Sequence, residues 1–305
     1  MESSGTTGRS PLKVLLIAYA CEPDRGSEPG TGWNTALGLA KLHEVWVATR
    51  ANNRGPVEAA LAGVDENERP QFLYLDPPAW TLRLKARGWM PIQVFYFFWQ
   101  RAVAKHLRRS GEHFDILHQL TFNSFEVPPL AFAGMSGAKV WGPIGGGQTV
   151  PCKLLRAFGP VSARKEAWRN WRVAISAQAP WVRQTLRHTN QALFANRETS
   201  ELLGPKCSGQ TGMMIDVGVD LQKFRPTEDR SGDIGVTFLA AGRLEARKGF
   251  SLLLEAFAGL VVEQPDVRLR IVGDGPERSR LESEISMLGL DDHVTLTGAV
   301  SHDAI

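Results

Sequence analysis

Gly242-Arg243-Leu244-Glu245-Ala246-Arg247-Lys248-Gly249 separates an apolar run at 236–241 from an amphipathic helical pattern. Arg243 and Lys248 therefore fall at a strand-to-helix turn flanked by Gly242 and Gly249. The N-terminus of a helix carries unpaired N–H groups and a partial positive charge, so cations beside it suit a diphosphate. The alternative for the octet alone is a solvated basic turn. A second strand end, Val272-Gly273-Asp274-Gly275-Pro276-Glu277, also opens a helix and would suit a base, ribose or phosphate.

The earlier part of the chain offers three more places for chemistry. Gly26, Gly30 and Gly32, with Ser27 and Glu28 between them, read as a loop after the first strand, with Trp33 opening a helix. Glycines there allow close backbone approach to a ligand, or else a flexible surface loop. Gly142-Pro143-Ile144-Gly145-Gly146-Gly147 closes another strand and fits a tight turn or a ligand. His118 ends the run 115–118, where a strand meets its loop, and either a structural or a ligand-facing role is open to it. The spacing of these glycines does not match Gly-x-Gly-x-x-Gly, which counts against a dinucleotide oxidoreductase.

The elements that would position these residues are short apolar runs alternating with helical patterns. Runs at 12–18, 44–49, 72–75, 115–118, 138–141 and 191–194 are the expected strands of a first domain; 236–241, 268–272 and 294–296 are those of a second. Helices are expected at 251–262 and 277–288, the latter with Pro276 in its first turn and Gly289 just past its end. Alternation of this kind predicts an α/β fold with mostly parallel sheets covered on both faces. The expected division is a disordered leader at 1–10, a first domain with linker at 11–228, and a second domain at 229–305. Asp216 to Asp220 and Phe224-Arg225-Pro226 form the linker. The second domain is expected to be incomplete at Ile305.

At 305 residues and 43% hydrophobic, the chain can bury two cores. Charge is uneven, with 27 Lys and Arg against 19 Asp and Glu in 1–228, and 8 against 13 in 229–305. Cys21, Cys152 and Cys207 lack metal-ligand spacing and read as reduced thiols of a cytoplasmic protein. The run 12–20 resembles a short secretory signal, but Glu22-Pro23 follows at once, and a first buried strand fits it better. No apolar run approaches the ~20 residues that span a bilayer.

Residues 79–111 hold seven Lys or Arg and no acid around Phe95, Tyr96, Phe97, Phe98 and Trp99; residues 153–187 hold eight against Glu166 alone. Stretches of this kind are core helices with solvated charges, contacts with an anionic membrane, or nucleic-acid surfaces. Peripheral contact with anionic lipid at the inner membrane surface is expected, and no nucleic acid.

The order of these loops resembles the group 1, nucleotide-sugar-dependent retaining glycosyltransferases. Gly-Arg-Leu and Lys-Gly at 242–249, Val-Gly-Asp-Gly-Pro-Glu at 272–277 and Val-Thr-Leu-Thr-Gly at 294–298 carry the resemblance. Tyr19-Ala20-Cys21-Glu22-Pro23, the Gly26–Gly32 loop, 115–118 and 142–147 are similar to one bacterial subgroup. The resemblance implies a GT-B architecture, two Rossmann-like domains facing a cleft, with acceptor on the first and donor on the second. It implies that Arg243 and Lys248 hold the donor diphosphate and that Gly242, Gly273 and Gly275 line the nucleotide pocket. Gly30 and Gly32 would approach donor phosphates or acceptor, and His118 would face the transferred sugar.

The implied reaction moves a sugar from a UDP- or GDP-sugar to a glycan or lipid-linked acceptor with retention, as in polysaccharide biosynthesis. No metal and no cofactor are implied beyond that donor. The family's Glu-x7-Glu pair lies beyond Ile305 in this pattern, and Glu277, Glu282 and Glu284 sit on the wrong helix to replace it. The 305 residues are therefore expected to turn over little sugar; the alternative is a non-catalytic module that binds sugar nucleotides or glycans.

Overall fold

The computed structural model describes residues 10–216, 218 and 235–300. Most of the linker stretch and the leader fall outside them, as do 301–305. The described residues separate into two compact units: 10–148 with 173–216 and 218, and 149–172 with 235–300.

The first unit is built on β1 (Lys13–Ile17), α1 (Ser27–Ala40), β2 (Glu44–Thr49), α2 (Arg54–Leu61), β3 (Gln71–Tyr74), α3 (Ala79–Ala86) and α4 (Ile92–Ser110). It continues through β4 (Ile116–Gln119), β5 (Ala138–Ile144), α5 (Pro160–Ser176), α6 (Pro180–Arg187), β6 (Gln191–Phe194), α7 (Arg197–Leu203) and β7 (Gln210–Met213). The first part of α5, through Arg172, clusters with the second unit. The seven strands are parallel in the order β3-β2-β1-β4-β5-β6-β7. The chain winds outward from β1 to β3, returns to the other side of β1, and winds outward again. The order reverses between β1 and β4, the place where open α/β sheets bind ligands.

Successive side chains of β1 serve opposite faces, as a pleated strand buried on both sides requires. Leu15 and Ile17 pack with Phe95, Tyr96, Trp99 and Phe114, whereas Val14, Leu16 and Ala18 pack with Trp33, Val47 and Val57. The run at 12–20 thus contains the buried strand that was expected there. Helix α4 inserts Phe95, Tyr96, Trp99, Val103 and Leu107 as one face, each large apolar side chain contributing about 1.5–3 kcal/mol by burial. It ends at Gly111, whose φ of 68° supplies the left-handed cap.

The second unit contains β8 (Thr237–Ala241), α8 (Phe250–Glu263), β9 (Arg268–Val272), α9 (Arg278–Met287) and β10 (Val294–Gly298). Its strands are parallel in the order β10-β9-β8. Leu254 and Phe257 of α8, Leu269 and Ile271 of β9, and Leu281 and Ile285 of α9 form its core.

Two expectations are corrected. Gly30 and Gly32 lie inside a helix, not in a loop, because α1 begins at Ser27. A Cβ on Gly30 would lie 2.0 Å from the Arg25 carbonyl oxygen, and one on Gly32 would lie 2.4 Å from that of Ala20. These glycines let the helix press against the preceding turn. Strand β5 also runs on to Ile144, so Gly142 and Pro143 belong to the sheet, joined by a cis peptide bond.

Candidate functional site

In the second unit the octet folds as the sequence pattern requires. Gly242 follows β8, residues Ala246–Lys248 form a single 3-10 turn, and Gly249, at φ 73°, stands at the N-cap of α8, where no side chain caps the helix. The Glu277 loop runs alongside. Gly242 N donates to Val272 O at 2.9 Å, Leu244 N to Asp274 O at 3.0 Å, and Glu277 N to Leu244 O at 3.1 Å. Gly273 N in turn donates to Gly298 O at 2.8 Å. Gly242, Gly273 and Gly275 are thereby brought together at the carboxyl end of one parallel sheet.

The charges at this turn are more interlocked than spacing showed. Glu245 bridges two guanidiniums, with Arg243 Nε 3.1 Å from one carboxylate oxygen and Arg247 2.6 Å from the other. Arg243 remains largely exposed and Lys248 has no ion pair among the described residues. Arg247 and Glu245 are the members that sequence reasoning left without a role. Glu245 holds both arginines at the mouth of the uncapped helix, where α8 adds its own partial positive charge. Glu277 is held by Ser162 Oγ at 3.1 Å and by Arg280 at 3.2 Å.

In the first unit, His118 lies within β4, one residue short of its end, paired with Leu16 and Val140. It is buried, and its Nε2 stands 2.8 Å from the Gly142 carbonyl oxygen. A carbonyl only accepts, so Nε2 carries the proton and Nδ1 is left as the acceptor. Burial pushes the imidazole below its ordinary 6.5, against a smaller raising effect from Gly142. The ring is therefore neutral at neutral pH.

The loop after β1, the first residue of α1 and the loop after β4 hold the non-glycine residues with positive φ among those described: Asp24, Ser27 and Phe122. Left-handed backbone of this kind costs energy and gathers at functional sites. Between these loops Glu28 Oε1 accepts from Asn123 N at 2.8 Å, and Asn123 Nδ2 donates to Asp216 at 3.2 Å. Burial raises the Glu28 carboxyl above its ordinary range, the Asn123 and Phe122 amides oppose that, and Asp216 adds to it. Glu28 sits in a glycine-rich sequence that gives little sign of a helix, and its position beside Asn123 has no local signal. Gly30 and Gly32 lie two and four residues further along the same helix.

Among the described residues, no helix is long and apolar enough to cross a membrane, and no three His, Cys, Asp or Glu side chains gather as metal ligands.

Residues 228–305 match the family model of the glycosyl transferases group 1. A phosphatidylinositol N-acetylglucosaminyltransferase component of Arabidopsis thaliana is 32% identical over 123 residues, covering 40% of this chain and 28% of its own. Alpha-D-kanosaminyltransferase of Streptomyces kanamyceticus is 45% identical over 67 residues, 22% of this chain and 17% of its own. This chain thus spans less than a third of the length of either relative. Anabaena Alr3699/HepE, solved in complex with UDP, has the same fold at a TM-score of 0.53, with 16% identity over 96% of this chain and 70% of its own. WaaG, a glycosyltransferase of lipopolysaccharide biosynthesis, gives 0.53 at 12% identity over 95% and 71%. The fold is the GT-B fold of glycosyltransferases, and the match to the group 1 glycosyl transferases is carried by residues 228–305.

Proposed function

We propose that the protein transfers a sugar from a UDP- or GDP-sugar to a glycan or lipid-linked acceptor, with retention at the anomeric carbon. Residues 11–228 take the acceptor and 229–305 the donor. The observation that carries the reading is the placement of Arg243 and Lys248 at the uncapped start of α8, beside the apposed Gly242, Gly273 and Gly275 loops. Fixed cations and free amides aimed at one point stabilise the charge that develops on a departing diphosphate, without reorganising as it forms. The UDP held by the Anabaena protein of like fold supports a nucleoside diphosphate as the leaving group.

In this reading Gly273 and Gly275 let the two strand-end loops close on each other so that the nucleotide meets backbone at the sheet's end, and no metal is needed because the cations take its place. Neutral His118 offers Nδ1 to a hydroxyl of the transferred sugar. Gly30 and Gly32 act through packing, by fixing the start of α1 beside the acceptor. The setting is the cytoplasm, at the inner face of a membrane bearing the acceptor.

Calorimetric titration of UDP and GDP tests the donor site. Each charge-assisted contact contributes about 1.5–3 kcal/mol, so Arg243→Ala and Lys248→Ala should each weaken binding about tenfold or more. Unchanged affinity in both folded variants would remove the proposal's basis. Donor consumption with product anomer analysis then tests transfer and retention.

A further inference from the structure

At the carboxyl ends of β1, β2 and β3, two cations share one aromatic cage, and among the described residues neither is ion-paired. Arg50 immediately follows β2, and its guanidinium carbon lies 5.1 Å from the Tyr19 ring centre and 5.5 Å from that of Phe95. Lys85 of α3 places Nζ 4.0 Å from the same Phe95 centre and donates to the Tyr19 hydroxyl at 3.2 Å. Neither cation has an ion pair among the described residues, and the buried Nε of Arg50 has no hydrogen-bond partner. Asp76, the nearby acid, accepts from the Ala51 amide at 3.3 Å and reaches Lys85 only as a through-space charge. Phe122, one of the positive-φ residues, closes the cage edge-on to Tyr19 at 5.6 Å.

Arg50 and Lys85 are both half-buried, and holding two like charges side by side at partial burial is unfavourable, which ring faces offset only in part. The groups presented are all donors: the Arg50 fork, the remaining Lys85 N–H groups, and the Tyr19 O–H, whose oxygen already accepts from Lys85. Burial and the Arg50 charge both push the Lys85 ammonium below its ordinary range, which an arriving anion would reverse. Donor groups on three side chains around the same rings can serve the three terminal oxygens of a phosphate ester, one more than a carboxylate offers.

We infer that Tyr19, Arg50 and Lys85 form a binding site for a phosphoryl group carried by the acceptor. This rests on the assignment of the acceptor to the first unit and narrows its class: the acceptor is a phosphate ester, either a soluble sugar or polyol phosphate or a phospholipid headgroup. The site is separate in sequence and composition from the Arg243–Lys248 turn.

The experiment titrates the full chain with glycerol 3-phosphate by calorimetry, and in parallel with neutral vesicles doped with phosphatidylglycerol. Lys85→Ala and Arg50→Gln should each weaken binding at least tenfold, Lys85→Arg should restore most of it, and Arg243→Ala should leave it unchanged while weakening UDP. Dependence on Lys85 seen only with the soluble ester assigns a soluble acceptor; dependence seen with vesicles assigns a headgroup. If Arg50→Gln does not fold, Lys85→Ala decides alone. Equal binding by wild type and folded Lys85→Ala overturns the inference, as does loss of glycerol phosphate in Arg243→Ala, which would return the phosphate to the donor turn. No detectable binding of either probe overturns it too. Phosphate binding that depends on Lys85 without sugar transfer to any acceptor would leave this site standing and remove the transferase reading.

Discussion

Gly273 and Gly242 approach so closely that a Cβ on Gly273 would lie 1.9 Å from the Gly242 carbonyl oxygen. Gly273 also has a φ of 143°, which side-chain-bearing residues rarely adopt. The contact locks two strand-end loops together, so the position of Arg243 depends on the absence of a side chain thirty residues later. Gly273→Ala should destabilise the second unit by at least about 2 kcal/mol through strain and forced separation, and weaken UDP binding even where the variant remains folded. Chemical denaturation and calorimetry on the same sample check both. A variant with native stability and affinity would show that the loops can part without consequence.

Much of this arrangement was legible because it rests on periodicity. The runs at 44–49, 191–194 and 268–272 appear as β2, β6 and β9 with the same ends, since apolar alternation and flanking turns agree there. Strand β7, Gln210–Met213, was not foreseen. It is polar, largely exposed, and exists as a strand through its pairing with β6 alone, a partner no local pattern names. The start of α1 was hidden for the opposite reason. Ser27-Glu28-Pro29-Gly30-Thr31-Gly32 is poor in helix formers, yet Pro29 is tolerated in a first turn and the two glycines are required by packing.

The site shows the same division. Arg243 and Lys248 were visible because one turn carries both. Arg50 and Lys85 stand 35 positions apart in sequence, and only the sheet brings them to one ring. The one available hint was that Arg50 directly follows a strand, where ligands of such sheets bind.

Glu245 occupies the space between Arg243 and Arg247, which leads to a salt prediction for the donor turn. Both guanidiniums are at least half exposed, so their ion pairs are screened and exchangeable. UDP binding should therefore fall as salt rises, and the slope should be shallower in Arg243→Ala because one fewer cation contributes. Titrations at several chloride concentrations measure it. A slope unchanged by the substitution would mean that Arg243 does not meet the diphosphate.

The basic aromatic stretch divides between core and surface. Phe95, Tyr96 and Trp99 are fully buried, while Trp80, Trp89, Ile92, Val94 and Phe97 remain exposed beside Arg83, Arg87 and Arg101. In α5, Trp168 and Trp171 stack at 4.6 Å on an exposed face that also carries Arg164, Lys165 and Arg172. Exposed indoles among cations are the composition of a surface that rests on anionic lipid. Co-sedimentation should favour anionic over neutral vesicles, decline with salt, and weaken in Trp89→Ala and in Trp168→Ala. Equal recovery with both kinds of vesicle would leave the exposed rings as ordinary surface.

Glu28 makes the stability of the first unit depend on pH in a direction opposite to that of a salt-bridged acid. Its carboxyl has a folded value raised above 4.5 by burial, with Asp216 adding to the effect and the Asn123 amide opposing it. Below the unfolded value both states hold the proton, and the favourable contribution is complete. As pH rises past 4.5 the unfolded chain ionises first, and the contribution is lost as pH passes through the folded value. Glu28→Gln keeps an oxygen to accept from Asn123 but never ionises. The variant should therefore melt at a higher temperature than wild type at about pH 8, with the difference shrinking as pH falls and disappearing near about pH 4. Melting followed by circular dichroism across that range decides it. A variant less stable than wild type at the alkaline end would mean that ionised Glu28 is stabilised by its surroundings, reversing the electrostatic account of the β1–β4 crevice.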